Sequence, residues 1–134
     1  MTVLTGYIPT AQGEAALRAG VEEAQRRSEP LLVVNMARDD VLADPHLAGK
    51  AGIARIERDL AELLAPSGLS FEVRQVLEGS DAADVLIETA ATEQVSVLVI
   101  GLRHRSPVGK LLLGSAAQRI LLDAPCPVLA VKAD

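Results

Sequence analysis

The stretch Val95–Ser115, VSVLVIGLRHRSPVGKLLLGS, decides the fold. It opens as a short apolar run rich in β-branched residues, Val95, Val97, Val99 and Ile100, the composition of a buried strand. The run breaks at Gly101, which reads either as the turn that leaves the strand or as a point of contact with a phosphate. A basic loop follows to about Leu113, carrying Arg103, His104, Arg105 and Lys110 and no acid. Gly114–Ser115 closes the loop and opens a helical pattern. Ser115-Ala116-Ala117-Gln118 has the Ser-x-x-Gln spacing of a capping box, which makes Ser115 the expected N-cap. Strand, glycine, cationic loop and helix start are the components of an anion site at the carboxyl end of a sheet strand.

Outward from this stretch, helical and extended patterns alternate. Thr2–Ile8 reads as a first strand, with Thr10 capping a helix over 11–27 whose inner face is Leu17, Gly20/Val21 and Ala24. Leu31–Met36 is continuously apolar except for Asn35, as in a strand buried on both faces. Asp44-Pro45 predicts the start of a helix running to Leu64, with a stripe of Ile53, Ile56, Leu60 and Leu63/Leu64. Phe71–Leu77 alternates, which places it near a sheet edge with one wetter face. Asp81 caps a helix to Thr92 with Val85, Leu86 and Thr89 inward. The last helix covers 115–122, and Val128–Val131 is a fifth strand. The order βαβαβαβαβ predicts one α/β domain over residues 1–134. Its sheet is open, five-stranded and parallel, with helices on both faces. Ligands of such sheets bind beyond the carboxyl ends of the strands, where Gly101 and the cationic loop lie.

Composition narrows the function classes. Nearly half the 134 residues are apolar (49%), which opposes disorder. Tyr7 and Phe71 are the only aromatics among Phe, Tyr and Trp, so a base-stacking platform for single-stranded nucleic acid is not expected. The net charge of -5 weighs against a general nucleic-acid or membrane surface, and no apolar run reaches the roughly 20 residues of a membrane span. No signal peptide is expected from MTVLTGYIPT. A single cysteine, Cys126, suits a reducing cytoplasm and reads as a small buried residue rather than a nucleophile. His46 and His104 are the only histidines, so no structural metal is expected. Gly109-Lys110 is followed by Leu111 and does not make a P-loop, and Gly114-Ser115 lacks a hydrolase elbow. Asp39-Asp40 reads as a solvated loop, because a phospho-receiver would need acids where Tyr7-Ile8-Pro9 stands.

Gly101 through Gly114-Ser115, followed by Ala124–Lys132, APCPVLAVK, strongly resembles the universal stress protein family over the whole chain. Members carry a nucleotide motif of the form G-x2-G-x9-G-[ST] after the fourth strand. Gly101, Gly114 and Ser115 match it, while His104 stands at its second glycine. Ile8 stands where ATP-binding members carry an aspartate, and Met36 at the adenine side. The resemblance implies strand order 3-2-1-4-5, an adenine-nucleotide-alpha-hydrolase-like fold, and a homodimer joined edge to edge through Val128, Leu129, Ala130 and Val131. It also implies a site for ATP or another adenine nucleotide, with Mg. That site would be built from Ile8, Thr10, Met36, Gly101, Arg103, His104, Arg105, Lys110, Gly114, Ser115 and Ala116. Three readings follow. One is a cytoplasmic stress-response sensor or partner-binding protein holding a phosphorylated ligand. Another is a dimeric interaction module that does not bind ATP, favoured by Ile8 and His104. A weak nucleotide hydrolase ranks last.

Overall fold

The computed structural model describes residues 1–36, 49–76, 79–102 and 113–133. Strand β1 (Thr2–Tyr7) leads to helix α1 (Ala11–Arg27), then β2 (Leu31–Asn35), α2 (Gly49–Leu64), β3 (Phe71–Gln75), α3 (Ala82–Thr92), β4 (Val95–Leu102), α4 (Ser115–Asp123) and β5 (Val128–Lys132). The strands form one parallel sheet in the order β3-β2-β1-β4-β5, as the resemblance implies. Its two faces explain the continuous apolar runs of the central strands. Val3, Tyr7, Val33, Val97 and Val99 pack under Leu17 and Ala24 of α1 and Ile56, Leu60 and Leu64 of α2. Leu4, Leu32, Val34, Leu98 and Ile100 pack against Leu86 and Ala90 of α3 and Ile120 of α4. Each fully buried leucine or valine stabilises the fold by about 1.5–3 kcal/mol relative to exposure.

The expected edge character of β3 is seen. Phe71 and Val73 pack inward, while Glu72 and Arg74 point outward, where Arg74 pairs with Glu72 and with Glu93 Oε1 at 2.6 Å. Several expectations need correction. The first three strands end before Ile8, Met36 and Val76, although Met36 N still donates to Tyr7 O at 2.7 Å. Leu63 is 65% exposed, so α2 buries Leu64 alone of that pair. In α3, Ala83 and Ala90 take the inner positions beside Leu86, and Val85 and Thr89 are half-buried. Small residues win there because α3 also packs beside α4. The chain does not break at Gly101: β4 continues to Leu102, and Gly101 pairs with Val131 of β5. The helix start expected at Asp44-Pro45, the loop acids Asp39 and Asp40, and His46 lie outside the described residues. Among the described residues, no helix is long and apolar enough to cross a membrane.

Helix α1 sits unusually close to the sheet. Thr5 is fully buried, and its hydroxyl donates toward Ala16 O at 3.3 Å and Val99 O at 3.4 Å. A Cβ on Gly20 would lie 2.6 Å from Thr5 Oγ1 and 3.2 Å from Thr5 Cβ. Gly20→Ala gains about 1 kcal/mol of helix propensity but forces an overpacked contact costing about 1–3 kcal/mol. The expected result is a net loss, read as a lower urea midpoint, with part of it recovered in Thr5→Ala/Gly20→Ala.

Tyr7 supplies a pH test. Burial, and secondarily the charges of Glu14 and Asp59, raise its pKa above the ordinary tyrosine value. The folded chain therefore keeps this proton to higher pH than the unfolded chain does. Stability is retained below about pH 10 and falls as pH rises through the folded pKa. Tyr7 is the sole tyrosine and there is no tryptophan, so tyrosinate absorbance reports this group alone. Its titration should be displaced upward from that of the denatured chain, and Tyr7→Phe should flatten the alkaline loss of stability.

Candidate functional site

A cavity of about 400 Å3 opens at the carboxyl ends of β1 and β4. Its apolar part is formed by Ile8, Met36, Leu86, Ile100, Leu102 and Ile120. The first turns of three helices supply much of the rest: Gln12 and Gly13 from α1, Ala82 and Ala83 beside Asp81 from α3, and Ser115–Ala117 with Gly114 from α4. This convergence follows from topology. In a parallel sheet every helix that follows a strand starts at the same edge, and the strand order reverses between β1 and β4.

The three helix starts are finished differently. Thr10 Oγ1 accepts from Gly13 N at 3.2 Å and caps α1. Asp81 Oδ1 accepts from Asp84 N at 3.0 Å and caps α3. At α4 the expected capping box is absent. Gly114 is the N-cap, Ser115 is the first helical residue, and Gln118 Nε2 donates to Leu113 O at 3.2 Å. Gly114 has no side chain to accept the first amides, so α4 presents them and its positive dipole end without a cap from its own N-cap residue.

Of the residues expected to form the site, Ile8, Met36, Gly101, Gly114, Ser115 and Ala116 line this cavity. Thr10 instead serves the α1 cap and is not among the lining residues. Arg103, His104, Arg105 and Lys110 lie outside the described residues. Sequence reasoning gives Asp81 a capping role only and does not name Gln12, Gly13 or the first turn of α3. The available signal is the shared edge at which these helices begin.

Electrostatically, Arg119 links two of the cavity-lining elements. It donates to Asp84 Oδ1, places Nη1 3.6 Å from Asp81 Oδ1, and places Nε 3.9 Å from Asp123 Oδ2. The hydrogen bond to Asp84, together with the charges of Asp84, Asp81 and Asp123, raises its pKa above the ordinary arginine value, so it is a permanent cation. Cys126 packs half-buried beneath the α3/α4 layer. Burial pushes its thiol up, against an opposing contribution from the Leu98 backbone, which disfavours the thiolate a nucleophile would need.

The profile of the universal stress protein family matches residues 1–132. The chain belongs to that family. A universal stress protein of Mycolicibacterium smegmatis is 45% identical over 130 residues, covering 97% of this chain and 96% of the relative. Among solved structures, a universal stress protein from Archaeoglobus fulgidus superposes with a TM-score of 0.78 at 26% identity, covering 98% of each chain. The structure of the universal stress protein from Archaeoglobus fulgidus in complex with dAMP gives a TM-score of 0.70 at 22% identity, again over 98% of each chain.

The two family glycines at the ends of the basic loop have different physical reasons. A Cβ on Gly101 would lie 2.0 Å from Gln12 O and 2.6 Å from Gln12 C, a clash with backbone that no rotamer relieves. Among the described residues, a Cβ on Gly114 would meet nothing within 4 Å, and its backbone (φ -63, ψ 158) suits any residue. Gly101→Ala is therefore expected to destabilise the unliganded protein by about 2–3 kcal/mol, and Gly114→Ala by less than about 1 kcal/mol. Denaturant unfolding of both variants checks this.

Proposed function

We propose that this family member is a cytoplasmic binding module that holds an adenine nucleotide, or a similar phosphorylated ligand, across the carboxyl ends of β1 and β4. On this reading the bound state is read by a partner as part of a stress response, rather than consumed by turnover. The observation that carries the reading is the start of α4, which has no cap from its own N-cap residue, opening onto an otherwise largely apolar cavity. A phosphate there would accept from first-turn amides of α4 and from the Ser115 hydroxyl, with Gly114 permitting close approach and Ala116 beside it. Arg103, Arg105 and Lys110, next to this point in sequence, would add positive charge, and His104 would stand among them. Ile8 and Met36 would contact the nucleoside. Mg would enter with the phosphates of a di- or triphosphate. The dAMP held by the archaeal neighbour of the same fold supports an adenine nucleotide as the ligand class.

A second reading follows from Ile8 and from β5. Ile8 puts an aliphatic side chain in the cavity where ATP-binding relatives carry an acid, so ATP itself would be the poorer ligand. Strand β5 is an outer strand without a charge before Lys132; Leu129 is 37% exposed, and Val128, Ala130 and Val131 are half-buried. An uncharged edge is a pairing surface, which supports a homodimer through this strand.

Thermal melting and calorimetry with AMP, cAMP and ATP, with and without Mg, test both readings. At a ligand concentration of about 100 Kd, stabilisation of about 2.7 kcal/mol is expected. Gly114→Ala should reduce affinity while leaving the unliganded melting temperature nearly unchanged. Absence of any shift with all three nucleotides at millimolar concentration would leave the dimeric interaction module as the standing reading.

A further inference from the structure

Among the described residues that line the cavity, Asp81 is the one that carries a formal charge, and its sign opposes an anionic ligand. Its carboxylate has two partners. Oδ1 caps α3 through Asp84 N at 3.0 Å, and the same oxygen faces Arg119 Nη1 at 3.6 Å. Arg119 stands on α4 about one turn beyond Ser115. It also donates to Asp84 Oδ1 and faces Asp123 Oδ2 at 3.9 Å, so a single guanidinium joins the start of α3 to the helix whose uncapped amides face the cavity.

We propose that Arg119 is the charge-balancing and positioning residue of this anion site: it neutralises the Asp81 carboxylate on the cavity wall and holds the start of α4 beside the start of α3. The proposal rests on the nucleotide reading given above. Ion pairs of this exposure contribute little to folding, so the stability of the free protein is a poor indicator of this role. Binding is a sensitive one. With Arg119 removed, the Asp81 carboxylate loses its facing cation and its charge acts unbalanced on the ligand's phosphate. A neutral nucleoside would feel no such repulsion.

Calorimetric titration of the full chain with AMP and with adenosine tests this. Arg119→Gln should weaken AMP about three- to tenfold and leave adenosine affinity unchanged. Arg119→Lys, which keeps the charge, should recover most of the loss. Asp81→Asn, which keeps a capping side chain, should bind AMP at least as tightly as the wild type. Asp81→Asn/Arg119→Gln should return to within about twofold of wild type, because removing both charges restores the balance. Unchanged AMP affinity in Arg119→Gln, equal losses for AMP and adenosine, or a double variant as weak as Arg119→Gln would overturn the proposal alone. A wild type that binds neither ligand would overturn the nucleotide reading together with it. Should Arg119→Gln fail to fold, Asp81→Asn decides: weaker AMP binding in that variant overturns the proposal.

Discussion

Helix α1 is seated on the β1/β4 pair at a distance that leaves no room for a methyl group. Added Cβ atoms would lie 1.8 Å from Ile8 O at Gly13, 2.6 Å from Thr5 Oγ1 at Gly20, and 2.0 Å from Gln12 O at Gly101. The first two glycines belong to α1 and the third to β4, so the close approach is made from both sides. The buried Thr5 hydroxyl lies between Ala16 O on the helix and Val99 O on the neighbouring strand. Close packing of this kind has few alternative arrangements, because sliding meets backbone at Gly13 and Gly101 and the buried Thr5 side chain at Gly20. The wall that α1 gives the cavity is therefore set by the packing of the fold, before any ligand is considered.

That constraint divides labour among the helix starts. The start of α1 is held down by Gly13 against Ile8, and Thr10 takes up the Gly13 amide. The start of α3 is completed by Asp81, whose negative charge offsets the positive end of its own helix. The start of α4 carries a glycine at the cap, and among the described residues nothing near it sterically requires glycine. Two of the helix starts at this end of the sheet thus carry a side-chain cap, and the third, α4, has none from its own N-cap residue. Polar capacity and open space coincide at Gly114–Ser115, the point where a phosphate would find both.

The sequence reveals most of the architecture because the core is built by the same local rules that pattern it. Buried-on-both-faces strands read as continuous runs such as Leu31–Val34 and Val97–Ile100, and the alternation over Phe71–Arg74 marks the edge strand. What it conceals is tertiary in origin. Gly101 looks like a strand breaker, yet it lies inside β4 because its partner, Gln12, is far away in the chain. Ser115 looks like a cap, yet Gln118 turns to Leu113 O and the cap falls one residue earlier. Ala83 and Ala90 replace Val85 and Thr89 on the inner face of α3, since periodicity ranks residues by hydrophobicity while packing beside α4 selects for size. The cavity's α1 and α3 walls are legible only from topology, not from a motif.

On the nucleotide reading proposed above, an aliphatic Ile8 in place of an acid would change how such a cavity grips its ligand. Ile8, Met36, Leu86, Ile100 and Leu102 offer the nucleoside contact area, which favours burial of a flat ring but discriminates poorly between rings of similar size. Met36 adds adaptability: its thioether occupies the space over Gly6, where a Cβ would lie 2.9 Å from Met36 Cε, and an unbranched side chain can repack around a different base. Directional recognition would then fall to the phosphate end, to the amides of α4 and the charges around them. There a carboxylate on the wall, Asp81, faces the guanidinium of Arg119, which stands about one turn beyond Ser115 on α4. If the cavity grips its ligand by area at one end and by charge at the other, as proposed, the balance of those two side chains would set how many negative charges a ligand can bring.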